Sequence, residues 1–453
     1  MPIRGLRSTF LCAHLLLAFV FAAAFARPAS AQESVLFAFT DTTGNVPFAG
    51  VTLDKRGNVF GTTAVGGNLS LCNNIGCGVV FEIVHNSDGT WSDRTIYSFT
   101  GGDDGAFPAA ALTFDSRGRI FGTTNYGGNG SCDQGEFPGC GTVFELVHNP
   151  AGGWTERVIY QFQGGNDGSW PTSNVTFDAQ GNLYGTTVYG GSPNSCVPSA
   201  PSGCGTVFKL SPNGSGGWSE SVIYAFKGGM DGLNPSSGVV FDGAEILFGV
   251  TAGGGNSCGQ YLQGVDCGTV FKLRRTPTGW LKSTPYRFRG GTDGFEPLGN
   301  LAVDASGNLY GGTYFGGITA PKFGNGTVYE LTPNGSGGWN ENVYYRFTGL
   351  EDGGYSAAGL VFDAAGNLYG LTAAGGTSGQ DSGGGTAFKL TLGSLPWTET
   401  TLASFQTLTE GQGPYGGATL DSSGNVYGTL ASGGAASTLC GFGCGVVFEV
   451  PAQ

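Results

Sequence analysis

The stretch "SVLFAF" at residues 34–39 is the end of a repeated unit, yet it stands before the first unit begins. Its relatives are "TIYSF" at 95, "VIYQF" at 158, "VIYAF" at 222, "TPYRF" at 284, "VYYRF" at 343 and "TLASF" at 401, each near the close of a unit. Two further phrases recur between them. One reads "DKRGNVFGTT" at 54, "DSRGRIFGTT" at 115, "DAQGNLYGTT" at 178, "DGAEILFGVT" at 242, "DASGNLYGGT" at 304, "DAAGNLYGLT" at 363 and "DSSGNVYGTL" at 421, at spacings of 61, 63, 64, 62, 59 and 58 residues. The other runs from "GVVFEI" at 78 through "GTVFEL" at 141 and "GTVFKL" at 205 to "GVVFEV" at 445. Both alternate apolar and polar positions and are rich in β-branched and aromatic residues, as strands are. A short strand ends at each Asp, as in "ALTFD" at 111, so a unit holds four strands.

Four short strands repeated radially make the blades of a propeller. The seventh unit ends at Val450 after its third strand, and "SVLFAF" is a fourth strand with nothing before it. The chain is therefore expected to be all-β, a seven-bladed β-propeller of four-stranded blades in which the N-terminal strand completes the last blade. Closure leaves only short, protected edges, which the alternative arrangement, an open solenoid, does not achieve. Small pairs before the inner strands, among them Ala49-Gly50, Gly299-Asn300 and Gly416-Gly417, suit backbones crowded around an axis. Trp91, Trp154, Trp218, Trp280, Trp339 and Trp397 all fall between third and fourth strands, a phase that assigns them to packing between blades.

Residues 1–31 read as a secretory signal: Arg4 and Arg7, an apolar run over 10–26 that contains an inert Cys12, then the small-residue site Ala29-Ser30-Ala31. Residues 32–453 then form one propeller domain of seven repeats of about 61 residues. Removing the signal takes away Arg4, Arg7 and Arg27 and no acid, so the charge moves from 20 − 33 = −13 to 17 − 33 = −16. That balance argues against nucleic acid and anionic membrane as partners. No later run of apolar residues is long enough to span a bilayer, and the sequence stops at "FEVPAQ". The expectation is a periplasmic or extracellular monomer with neither a membrane span nor an anchor.

Taken together, "GNLYGTT", "YGG", "GCGTVFKL" and "VIYQF" resemble the GloVer tandem-repeat family, exported bacterial proteins that carry various C-terminal anchors. The resemblance covers essentially all of residues 32–453 and implies export and a repeat fold. It transfers no activity and no catalytic residue, and the ending "FEVPAQ" departs from the anchored pattern.

Ten cysteines come in pairs within one loop of a unit: Cys72 and Cys77, Cys132 and Cys140, Cys196 and Cys204, Cys258 and Cys267, Cys440 and Cys444. The fifth and sixth units lack both members, and joint absence implies partnership, so five local disulfides are expected instead of metal sites. His85 and His148 repeat in matching turns and read as structural, which leaves a Ser-His-Asp mechanism without parts. Asp54, Asp115, Asp178, Asp242, Asp304, Asp363 and Asp421 precede tight turns, where a carboxylate accepts backbone N–H bonds. Asp104, Asp167, Asp231, Asp293 and Asp352 sit before Gly in the "GGxDG" loops, again a turn signature. Calcium ligation there is the second reading, and otherwise no cofactor and no metal is expected.

Strand alternation puts the cysteine loops and "GGxDG" loops on one face, which is acidic: Asp41, Asp103, Asp133, Glu136, Asp266, Glu351, Asp381 and Glu410 join those loop aspartates, against Lys322 in mid-loop and Lys227 and Arg289 at the margins. Trp170 breaks the repeat phase of the other tryptophans, holding a place taken elsewhere by Val46, Phe107, Asn234, Glu296, Tyr355 and Gly413. Tyr126, Tyr189, Tyr314 and Phe315 follow the second strands of some units only. These aromatics, with Asp167 and Glu296, are the candidate ligand-binding residues, and no catalytic residue is assigned. A binding or interaction module for a glycan or another secreted protein is the leading reading, a stacking platform with convergent polar groups. The alternative is a propeller hydrolase or lyase that uses paired carboxylates, with or without calcium.

Overall fold

The computed structural model describes residues 33–132, 137–191, 196, 202–258, 266–318, 323–356, 358–377, 383–393, 397–406 and 410–452 of the chain. The expected signal at 1–31 lies outside them, as do Asp133, Glu136, Lys322 and Asp381 of the loop face.

The second blade shows why these residues make these strands. Asp115 accepts the backbone N–H groups of Arg117 and Arg119, both at 2.9 Å, and so closes the turn between Thr113–Phe114 and Ile120–Thr124. Asp54, Asp178, Asp304, Asp363 and Asp421 repeat the arrangement. Asp242 does not, because "DGAEIL" lacks the glycine that the others place three residues after the Asp, and its strand runs on to Asp242 itself. The third strand, Thr142–His148, pairs with the second, and the outer strand, Trp154–Gln161, pairs with the third across a bulge.

Second strands are buried along their whole length, and their central glycine has a steric cause. A Cβ on Gly122 would stand 2.5 Å from Cζ of Phe144 on the third strand. That ring in turn meets Phe99 from the outer strand of the blade before, centroids 5.2 Å apart. The same contact recurs at all seven junctions, at 4.7–5.2 Å, from Phe39–Phe81 around to Phe405–Phe448. So the Phe of "VIYQF" and the Phe of "GTVF" are two halves of one seam. Threonines of the "GTT" phrase reinforce it: Thr62, Thr123, Thr186 and Thr429 donate to carbonyls of Ala110, Ser173, Ser237 and Ala49 in the following blade. Trp154, Trp218, Trp280 and Trp339 lie edge-on to a second-strand aromatic of the preceding blade, 5.6–6.4 Å away.

Seven four-stranded antiparallel sheets result, and the seventh joins the two ends of the chain. Ser34–Ala38 pairs with Val446–Val450 in the register Ser34↔Glu449, Val35↔Phe448, Phe37↔Val447 and Ala38↔Val446. Around the axis, glycines permit contact between blades: a Cβ on Gly416 would stand 2.2 Å from the Gly50 nitrogen, and one on Gly299 would stand 2.3 Å from the Ala358 backbone. They enclose a channel of about 150 Å³ to which every blade contributes.

All five expected disulfides are present, Cys72–Cys77, Cys132–Cys140, Cys196–Cys204, Cys258–Cys267 and Cys440–Cys444. Bridges in this number belong to an oxidising, non-cytoplasmic compartment. Among the described residues no helix is long and apolar enough to cross a membrane.

Candidate functional site at the channel mouth

Each unit carries one residue in the left-handed region just before its inner strand. These are Val46, Phe107, Trp170, Asn234, Glu296 and Tyr355, with φ between 55° and 61°, and Gly413 at 71°. For non-glycine residues this region costs roughly 1–2 kcal/mol, so something must hold them there. Their N–H groups donate, at 2.6–3.0 Å, to carbonyls of Cys444, Cys77, Cys140, Cys204, Cys267, Asn325 and Gly384 in the blade before. Their carbonyls accept, at 3.0–3.1 Å, from the end of their own blade's second strand. In five units the accepting carbonyl belongs to a disulfide cysteine. The bridges thus sit beneath the backbone that presents the candidate residues.

The structure brings most of those residues together. Phe107 meets Tyr126 at 5.9 Å, Tyr126 meets Trp170 at 5.5 Å, and Trp170 meets Tyr189 at 5.3 Å. A second group joins Tyr314 to Tyr355 at 5.2 Å and to Phe315 at 4.8 Å. Residues that the sequence reading missed extend both groups. Phe48 links Phe107 to Tyr415, at 6.4 and 5.7 Å, and both Phe48 and Tyr415 line the channel. Burial raises the Tyr314 phenol, and the neighbouring Tyr415 and Glu296 raise it further. The result is an arc of aromatic rings around the channel mouth, interrupted at the fourth blade by Leu233, Asn234 and Gly253. Phe137, Phe295 and Phe323 back it. One signal could have found Phe48 and Tyr415: each follows the loop proline, at Pro47 and Pro414, where Ala109, Thr172 and Ser236 stand in other units.

The two candidate acids part company. Glu296 belongs to the arc and is pushed up by burial. Asp167 is committed to its own loop, accepting from the Tyr160 hydroxyl at 2.8 Å and the Gln163 N–H at 2.6 Å. Asp104, Asp231, Asp293 and Asp352 do the same with Tyr97, Tyr224, Tyr286 and Tyr345. The "GGxDG" carboxylates therefore tie each loop to the outer strand before it. His85 and His148 pack on Trp91 and Trp154.

Paired carboxyls also exist, but at the rim. Burial pushes Glu156, Glu220, Glu341 and Glu399 up to about 7, and the neighbouring Asp104, Asp167, Asp293 and Asp352 add to the rise. At the fourth blade Lys282 takes the glutamate's place and bonds Asp231 at 2.7 Å. Such pairs recur at four of the seven junctions and are an interface feature; neither the channel nor the cleft between the second and third blades is lined by any of them. One grouping of metal-type donors, Asp41 with Cys440 and Cys444, has both sulfurs spent in a disulfide.

The sequence model of a family described as the Gloeobacter/Verrucomicrobia repeat matches residues 23–262 and again 263–453. No curated protein matches the chain. Among solved structures, a fungal alcohol oxidase in complex with copper is similar at 12% identity and a TM-score of 0.49, over 93% of this chain and 76% of that one. A polysaccharide lyase, an ulvan lyase, is similar at 13% identity and a TM-score of 0.45, over 88% and 90%. At such identities neither likeness extends to chemistry.

Proposed function

We propose that this chain, which belongs to the Gloeobacter/Verrucomicrobia repeat family, is an exported binding module whose loop face holds a glycan against the aromatic arc at the channel mouth. The carrying observation is the arc itself: rings from separate blades meet in T-shaped or tilted pairs, and three of them, Phe107, Trp170 and Tyr355, stand on backbone locked in a strained conformation. Strain that is over-determined by its surroundings is a mark of functional sites. Packing of the blades does not call for these rings, since Val46, Asn234 and Gly413 hold the same backbone position without them. Saccharide rings present an apolar face to stack and hydroxyls to accept or donate. Glu296 supplies a polar group beside the rings, and the Trp170 indole N–H, buried and without an acceptor among the described residues, lies next to them.

The test is a glycan-array screen of the purified protein, followed by calorimetry on the best binder with Trp170→Ala and Tyr415→Ala. Each variant should weaken binding by about 1 kcal/mol or more while leaving the urea midpoint nearly unchanged. Variants that bind like the parent, or an array without a single retained glycan, would overturn the reading; a Trp170→Ala protein that melts early and binds normally would return that ring to structure. The hydrolase or lyase alternative needs two acids in one pocket, and none of the rim pairs lines the channel or the cleft between the second and third blades.

A further inference from the structure

A cleft with a volume of about 710 Å³ lies on the opposite face, between the second and third blades. Phe114, Phe177 and Trp218 contribute aromatic surface, and Arg117, Arg119 and Arg157 contribute guanidinium groups. This interface departs from its siblings. Arg119 stands where Asn58, Asn182, Asn308, Asn367 and Asn425 stand in other units, and Arg157 where Ser221, Ser283, Asn342 and Thr400 stand; the first blade repeats Arg117 and Arg157 as Arg56 and Arg94 but has Asn58 in place of Arg119, so all three arginines meet in the second blade. The corresponding cleft between the fourth and fifth blades is about 260 Å³ and is lined by no arginine.

Hydrogen-bond capacity decides what the cleft can take. Its carboxylate acceptors are already used. Asp178 accepts two bonds on Oδ1, from Gln180 and Asn182, and two on Oδ2, from Asn182 and Tyr184. Asp115 accepts three, including Arg119 Nε at 2.7 Å, and the buried Glu145 is shared by Arg119 and Arg157. The donors are not exhausted, because a guanidinium has five N–H groups. Arg119 uses two in these bonds, and Arg157 uses one on Glu145 at 2.5 Å and one on the Gly216 carbonyl at 2.8 Å. Arg117, exposed at the rim, has no side-chain partner among the described residues.

Spent carboxylates, spare planar donors and aromatic walls suit a ring that brings its own negative charge. We infer that the cleft between the second and third blades is a second, separate binding site, for an anionic saccharide whose carboxylate or sulfate engages the arginines while its ring lies against Trp218. This inference does not rest on the loop-face reading, and its failure would leave that reading intact.

Calorimetry at low ionic strength should compare tetragalacturonate, a sulfated oligosaccharide and neutral cellotetraose on the full chain. At least one anionic probe should bind ten-fold or more tightly than cellotetraose and weaken as sodium chloride is added. Which of the two it is separates carboxylate from sulfate recognition. Arg117→Ala removes an exposed side chain with no structural partner, and Arg157→Lys keeps the charge but loses the fork; each should weaken anion binding at least five-fold. Arg274→Ala, an equal loss of charge on the fourth blade, should change nothing. Equal affinity for cellotetraose, binding by none of the three probes, or undiminished binding by both cleft variants would overturn the inference.

Discussion

Gly249 shows how little room a blade leaves between its second and third strands: a Cβ there would stand 2.5 Å from Cζ of Phe271. The fully buried Phe271 ring cannot swing aside, because Phe226 of the preceding blade meets it at 5.1 Å. Gly249→Ala should therefore lower stability by about 1–3 kcal/mol, as overpacking does. Gly249→Ala with Phe271→Leu should recover part of that loss, so the double variant will be more stable than the two single effects add up to. Urea midpoints measure this, and strict additivity would mean that the glycine is present for some other reason. Partners within one unit were readable as residues. The cysteine pairs and the hairpin aspartates lie two to nine positions from their partners, and both readings held, except at Asp242. The left-handed backbone at Phe107, Trp170 and Tyr355 was not legible, because the bond that imposes it comes from the neighbouring blade.

Outer strands carry the consequence with the clearest dependence on pH. Glu156, Glu220, Glu341 and Glu399 rise from 4.5 to about 7, by burial first and then by the loop aspartate of the blade before. A carboxyl with a folded pKa above its unfolded value binds its proton more tightly in the folded chain. Its contribution to stability is complete below about pH 4.5 and is lost as pH climbs through about 7. In the hairpins the sign is opposite: partial burial raises Asp178, Asp304 and Asp363, but hydrogen bonds from Asn182, Asn308 and Asn367 and from the turn backbone more than offset it. Their contribution is lost as pH falls below the ordinary value of 3.8. Thermal stability should accordingly peak between about pH 4 and 5.5 and decline toward pH 8. A variant with all four glutamates replaced by Gln should flatten the decline, and an unchanged slope would sink the account. These pairs could not be seen in the sequence, where Glu156 and Asp104 are a whole blade apart. Loop bridges act at the same scale. Replacing Cys132 and Cys140 by Ser should cost about 2–2.5 kcal/mol in the chain-entropy model and, because the Cys140 carbonyl holds the Trp170 N–H at 3.0 Å, should weaken glycan binding at the loop face as well. Loss of stability with unaltered affinity would separate the bridge from the site.

At the scale of the whole molecule the ring was legible because repetition multiplies a weak signal: one "GNLYGTT" is a strand, and seven in phase with a displaced eighth fragment are a closed circle. The aromatic arc was legible only in part. Aromatic residues could be seen to gather on particular units, but Phe48 and Tyr415 join the arc through the curvature of the ring, which sequence spacing does not record. Closure is where the architecture is most exposed to test. The last blade owns three strands of its own, and its fourth, Ser34–Ala38, is held by the ladder to Val446–Val450, by the Phe39 N–H on the Gly445 carbonyl at 2.9 Å, and by the Phe39 ring against Phe81 of the first blade at 4.9 Å. Deleting residues 33–39 removes all three together. Val446–Val450 then becomes an edge strand with unpaired backbone and apolar side chains, the arrangement that templates edge-to-edge association. The deleted protein should aggregate on concentration and lose the single cooperative transition of the parent. Adding the peptide of residues 33–40 in trans should restore solubility by pairing with the vacant edge, whereas the same composition in scrambled order should not. A deletion variant that stays monomeric and melts with the parent's midpoint would show that the six remaining aromatic seams, and not the shared blade, keep the ring closed.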